Sequence, residues 1–220
     1  PVFAEQTGAA NPFDGVYSYY PAPAFADIDN DGDFDVFIGN YSGTVDFFRN
    51  TDTSANKTNP VFAQETGATN PLHGVRGGSP SAYNNLRGYS SPVLADLDGD
   101  GDLDALVVER RARVHFFRNQ GSPANPNFEP RTPLGDVGHT LGISYIAPVF
   151  VDIDSDGDHD AFIGTYHGRI LYYRNDGTDT QPSFTAVGDG PLSVSAGYYD
   201  QTAPTFVDID NDGDFDAFIG

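Results

Sequence analysis

The chain has 220 residues, enough to bury a core in one or two domains, and carries 32 acidic against 11 basic side chains. Its formal charge of −21 excludes nucleic acid and an anionic membrane surface as default partners. It has no cysteine, so disulfides do not hold it together, and no apolar run suits membrane insertion or a signal peptide.

In chain order, residues 1–16 match residues 60–75 at 11 of 16 positions. Residues 1–22 are therefore expected to hold the last strand of a preceding repeat. Pro23-Ala-Phe-Ala then leads into the acidic loop DIDNDGDFD from Asp27. The apolar run Val36-Phe-Ile-Gly, the turn Asn40-Tyr-Ser-Gly, Phe47-Phe-Arg-Asn and a short run from Pro60 complete the first repeat. The pattern restarts at Pro92, Pro148 and Pro204, with loops DLDGDGDLD from Asp96, DIDSDGDHD from Asp152 and DIDNDGDFD from Asp208.

The runs are four to seven residues long and broken by Gly, Asn, Asp and Pro, too short for helices. Four strands per repeat of about 50 residues is the sequence form of a β-propeller blade. The expected fold is all-β, a propeller-type array of four-stranded antiparallel blades with an acidic loop between the first two strands of each. Blade 1 is expected over 23–91, with an insertion at about 76–85. Blades 2 and 3 follow over 92–147 and 148–203, and a partial blade 4 over 204–220. With no Met and Pro1 at its start, the chain is expected to be a processed form or a window of something longer.

Each loop places Asp at positions 1, 3, 5, 7 and 9 and Gly at position 6, and the four loops hold 20 of the 32 acidic residues. Five carboxylates in nine residues repel one another unless a cation lies among them. Oxygen-only donors around a sharp Gly turn suit Ca2+, so about four calcium sites are expected. Four ions would bring −21 to −13. Millimolar calcium is found outside cells, which points to an extracellular or cell-surface protein.

The AP-x-F-x-D-x-D-x-D-G-D-x-D pattern resembles the FG-GAP/VCBS repeats of integrin-type and microbial surface β-propellers. The resemblance covers essentially the whole chain. It implies side-chain ligands at Asp27, Asp29, Asp31 and Asp35, with the Asp33 carbonyl as a further donor. By the same matching, Asp96, Asp98, Asp100 and Asp104 take these roles with Asp102. Asp152, Asp154, Asp156 and Asp160 do so with Asp158, and Asp208, Asp210, Asp212 and Asp216 with Asp214. An EF-hand is excluded, because it needs Glu at position 12 and flanking helices. Ile38, Val107, Ile163 and Ile219 stand there instead.

No catalytic constellation is found, so the chain is not expected to be an enzyme. The five His are scattered, and no HExxH or GxSxG is present. His159, at position 8 of the third loop, is expected to have a packing or surface role. Two departures from the repeat are candidate ligand sites: the insertion bearing Arg76, Tyr83 and Arg87, and the turn bearing Arg110, Arg111 and Arg113. A protein or polysaccharide is the partner such residues suit. The aromatic pairs Phe47-Phe48, Phe116-Phe117 and Tyr172-Tyr173 are expected to pack between blades, one ring on each face. Asn40 and Asn56 head sequons. The functional expectation is adhesion, recognition or surface structure. The alternatives are a subunit of a head-to-tail homo-oligomer or filament, a lectin-like propeller, or a non-catalytic part of a secreted enzyme.

Overall fold

The computed structural model describes residues 4–8, 11–16, 19–54, 60–74, 89–109, 113–122, 124–130, 146–165, 167–178, 182–188, 190–192 and 201–220. Within them the protein is all-β. The first antiparallel sheet runs β1 (Ala22–Ala26), β2 (Asp35–Gly39), β3 (Val45–Asn50) and β4 (Phe62–Glu65), in that spatial order. The second runs β5 (Ser90–Ala95), β6 (Asp104–Glu109), β7 (Arg113–Asn119) and β8 (Phe128–Pro130). The third runs β9 (Ile146–Val151), β10 (Asp160–Thr165), β11 (Ile170–Asn175) and β12 (Phe184–Gly188). β13 (Pro204–Val207) and β14 (Asp216–Ile219) form a two-stranded fourth.

Each strand order is that of a simple meander, as short runs joined by tight turns dictate. The NYSG turn closes with Gly43 N–H donating to the Asn40 carbonyl at 3.0 Å, and the TYHG turn with Gly168 donating to Thr165 at 3.3 Å. Each acidic loop is closed in strict register at its ninth residue, which opens the second strand. Asp35 pairs with Ala26, Asp104 with Ala95, Asp160 with Val151 and Asp216 with Val207.

The sheets pack face to face. Phe37, Phe47 and Val45 of the first meet Ala105, Val107 and Phe117 of the second. Leu106 and Val108, on the opposite face of the second, meet Ala161, Ile163, Leu171 and Tyr173 of the third. Phe162, Ile170 and Tyr172 then face Phe206 of the fourth. Strand alternation thus sends Phe47 and Phe48, and likewise Tyr172 and Tyr173, to opposite faces. Burying one such ring stabilises by about 1.5–3 kcal/mol. First strands neighbour first strands: β1 lies by β5, β5 by β9 and β9 by β13.

The segment after β4 inserts an apolar side chain between the first two sheets. Asn70 Oδ1 accepts from Leu72 N–H at 2.9 Å, and Leu72 enters the core between the first two sheets. Asn11 holds Phe13 in the same way, and that ring packs on Phe48 and Phe62. The strand expected near Pro1 is a different matter, since the described residues Ala4–Thr7 are not in one. In the three complete sheets this strand pairs with a third strand, and none faces Ala4–Thr7 among the described residues.

Candidate metal centre

The four acidic loops share one backbone course. In the first, both oxygens of Asp27 accept main-chain N–H groups, Oδ1 from Asp31 and Oδ2 from Gly32, each at 3.0 Å. Asp31 Oδ1 accepts from Asp33 N–H at 2.9 Å. The Asp152 and Asp208 loops repeat all three bonds, and the Asp96 loop shows the corresponding Gly101 and Asp102 bonds. Gly32, Gly101, Gly157 and Gly213 have φ of 89° to 99°, a left-handed conformation that only Gly adopts freely. Position 4 is left-handed too, at Asn30, Gly99, Ser155 and Asn211. Asn tolerates that conformation better than most residues, a signal that sequence reasoning passed over.

This course gathers carboxylates. One oxygen each from Asp27, Asp29 and Asp31 lie within 4.8 Å of one another. So do those of Asp96, Asp98 and Asp100, of Asp152, Asp154 and Asp156, and of Asp208, Asp210 and Asp216. The position-7 residues Asp33, Asp102, Asp158 and Asp214 are not in these clusters, nor is Asp212. Asp29 Oδ1, Asp96 Oδ1, Asp98 Oδ1 and Asp102 Oδ1 are buried without a hydrogen-bond partner. Burial raises the pKa of Asp98 and Asp102, with Asp100 adding repulsion at both. Buried, orphaned anionic oxygens of this kind fit a hard cation.

The ninth Asp does something else. Asp35 Oδ1 accepts from Asn50 N–H at 2.6 Å, Asp104 Oδ1 from Asn119 at 2.8 Å and Asp160 Oδ1 from Asn175 at 2.7 Å. The loop end is thereby tied to the end of the third strand. Asp35 Oδ2 remains buried and unpartnered, whereas Asp160 Oδ2 accepts from the Tyr172 hydroxyl at 2.9 Å. Burial drives the pKa of Asp35 to about 6 and that of Asp104 to about 7, against the relief of the main-chain bonds.

The model of the FG-GAP-like repeat matches residues 27–107, 96–163 and 152–219, each match starting on the first Asp of a loop. The chain belongs to the FG-GAP-like repeat family. Among solved structures, it is similar to a crystal structure described as a "putative exo-beta-1,3-galactanase" from Bifidobacterium bifidum s17, at 13% identity and a TM-score of 0.47. The match covers 84% of this chain and 57% of that one.

Arginines from the third strands of the FG-GAP-like repeats reach the loops. Arg49 pairs with Asp29 and with Glu65, the latter at 2.7 Å. Arg118 pairs with Asp98 and lies 3.6 Å from Asp100. Arg174 instead pairs with Asp176 at 2.5 Å. The loops thus differ in local counter-charge.

A second feature joins one FG-GAP-like repeat to the next. Asn40 N–H donates to Ser90 Oγ at 3.0 Å, and that hydroxyl donates to the Thr44 carbonyl at 2.6 Å. Thr165 N–H donates to Thr202 Oγ at 2.8 Å, and Thr202 Oγ donates to the Arg169 carbonyl at 2.8 Å. Gly39 and Gly164 permit the approach, since a Cβ on either would fall 2.1 Å from the Ser90 or Thr202 carbonyl oxygen. At the middle junction Val108 and Ile146 hold the equivalent positions. That paired exchange, Gly with Ser or Thr against Val with Ile, was present in the sequence and unread.

Of the other candidates, Arg76, Tyr83, Arg87, Arg110, Arg111, Asn56 and the 76–85 insertion lie outside the described residues. Arg113 begins β7, and its side chain lies outside them too. Asn40 does not suit a glycan acceptor. It is only 9% exposed, its Nδ2 donates to Thr44 Oγ1 and Asp46 Oδ2, and its Oδ1 accepts from Ser42 and Thr44 N–H groups.

Proposed function

We propose that the protein is a calcium-loaded, propeller-type repeat module acting outside the cell in adhesion, recognition or surface structure, without catalysis of its own. The observation that carries this reading is the carboxylate cluster repeated in all four loops, with buried, unpartnered oxygens at Asp29, Asp96 and Asp98 in the first two. Asp27, Asp29 and Asp31 and their counterparts would hold the ion, which supplies positive charge and ties the first two strands of each sheet together. Membership of the FG-GAP-like repeat family and sheets stacked along their first strands support the propeller-type arrangement. Among the described residues no helix is long and apolar enough to cross a membrane.

Isothermal titration of chelator-treated protein with Ca2+ tests this. About four sites are expected, and no uptake would overturn the reading. Head-to-tail assembly is a second reading, supported by sheets that pack one face on the sheet before and the other on the sheet after, a contact that can repeat between copies. Light scattering with and without calcium separates a discrete particle from an open-ended assembly.

A further inference from the structure

Strands β3, β7 and β11 each carry arginine as their penultimate residue, at Arg49, Arg118 and Arg174. Two places further on, Thr51, Gln120 and Asp176 hold one structural position. Each donates its main-chain N–H across the hairpin, to the carbonyl of Val61 at 2.8 Å, of Asn127 at 2.9 Å and of Ser183 at 2.9 Å. Only Asp176 is an acid, and Arg174 turns to it, Nε donating to Asp176 Oδ1 at 2.5 Å.

Arg49 and Arg118 have a neutral residue there and reach the acidic loops instead. Arg49 Nη1 pairs with Asp29 Oδ2, while its Nε donates to Glu65 Oε1 at 2.7 Å. Arg118 Nη2 pairs with Asp98 Oδ2 and lies 3.6 Å from Asp100 Oδ2. Its Nε is buried with no hydrogen-bond partner among the described residues. Asp29 and Asp98 belong to the carboxylate clusters, as Asp154 does in the third loop. Asp98 is fully buried, so salt screens its pairing little.

Resting on the calcium reading above, we propose that Arg49 and Arg118 are fixed counter-charges that hold the first two loops to weaker calcium binding than the third. The residue two places beyond each arginine decides whether it acts this way. A cation entering the first or second loop meets a guanidinium already paired with a donor carboxylate. At the few-ångström range of these pairs, a unit charge opposes a divalent ion by about tenfold even at the dielectric constant of water. In the third loop Asp176 draws the arginine aside and offsets its charge. The protein therefore fills in order as calcium rises, the third loop before the first two.

The test follows the main-chain N–H resonances of Gly32, Gly101 and Gly157 as calcium is withdrawn from the loaded protein by a buffered chelator. Each of these groups donates to the first Asp of its own loop, so each reports one site. We expect the Gly157 half-point at a free calcium concentration about tenfold below those of Gly32 and Gly101. Gln120→Asp gives Arg118 Nε an acceptor and should move the Gly101 half-point alone toward that of Gly157. Asp176→Gln should move the Gly157 half-point alone the other way. In each variant the two unmoved loops show that the fold is kept. One common half-point in the parent overturns the proposal and leaves calcium binding in place. So do half-points that either substitution leaves where they were or shifts in all three loops together. No calcium-dependent change at any of the three glycines overturns the calcium reading, and the proposal with it.

Discussion

Asn50 donates its main-chain N–H to Asp35 Oδ1 at 2.6 Å, and through its own Oδ1 it accepts from Val61 N–H at 3.0 Å and Asp52 N–H at 3.2 Å. One residue therefore joins the end of the acidic loop to the hairpin that carries the fourth strand. Asn119 and Asn175 repeat the arrangement with Asn127 and Ser183. Disturbance in a loop is thus transmitted across the whole sheet. Replacing Asn119 by Ala leaves the Asn127 and Gly121 N–H groups without their acceptor, and is expected to cost about 2 kcal/mol in urea unfolding.

Asp35→Asn separates the two duties of the ninth Asp. It removes a buried charge while keeping an acceptor for Asn50. In chelator at pH 8 the variant should be more stable than the parent, by on the order of 2 kcal/mol. In calcium that advantage should vanish. A variant less stable in both conditions would show that the negative charge is not the burden its burial implies.

The pH response should invert with calcium. Asp35 and Asp104 have folded pKa values of about 6 and 7, above the ordinary Asp value, and Asp160 is raised as well. A raised folded pKa gives stability that is complete below the unfolded value near pH 4 and lost as pH rises through 6 to 7. In chelator the melting temperature should therefore fall between pH 4 and 8. Calcium requires the ionised form, so its binding should release protons and weaken on acidification below about pH 7. Melting curves across pH and titrations in two buffers of different ionisation heat check both.

Calcium itself should act as folding free energy. At ten times the dissociation constant each site contributes roughly 1.4 kcal/mol, so four independent sites give about 5–6 kcal/mol. An unchanged melting temperature in chelator would count against metal binding at the loops.

Two glycines should behave differently when changed to Ala. Gly32→Ala meets no atom within 4 Å but must hold φ of 90°, costing about 1–2 kcal/mol. Gly39→Ala collides with the Ser90 carbonyl oxygen, which the next sheet can relieve only by moving, at about 3 kcal/mol or more. Chemical denaturation of the two variants ranks them.

Much of this was legible because the information is local. Alternating runs and turn residues report strands, and Asp spacing reports the clusters directly. What was missed is nonlocal. The bond from Asn50 to Asp35 spans 15 residues, and the left-handed position 4 is filled by Asn, Gly or Ser, none diagnostic alone. The strand expected near Pro1 rested on likeness to residues 60–75. Likeness carried over the Asn11–Phe13 turn, which makes its own contacts, while Ala4–Thr7 are not in a strand.

The junctions between sheets also limit how such a protein can be rearranged. Ser90 and Thr202 dock onto glycine, and in the middle junction Val108 stands where that glycine would be. A second repeat moved into the first position would present a valine to the Ser90 carbonyl. The repeats look alike as words, yet their order cannot be shuffled. Duplication or recombination within this chain must carry both halves of a junction together.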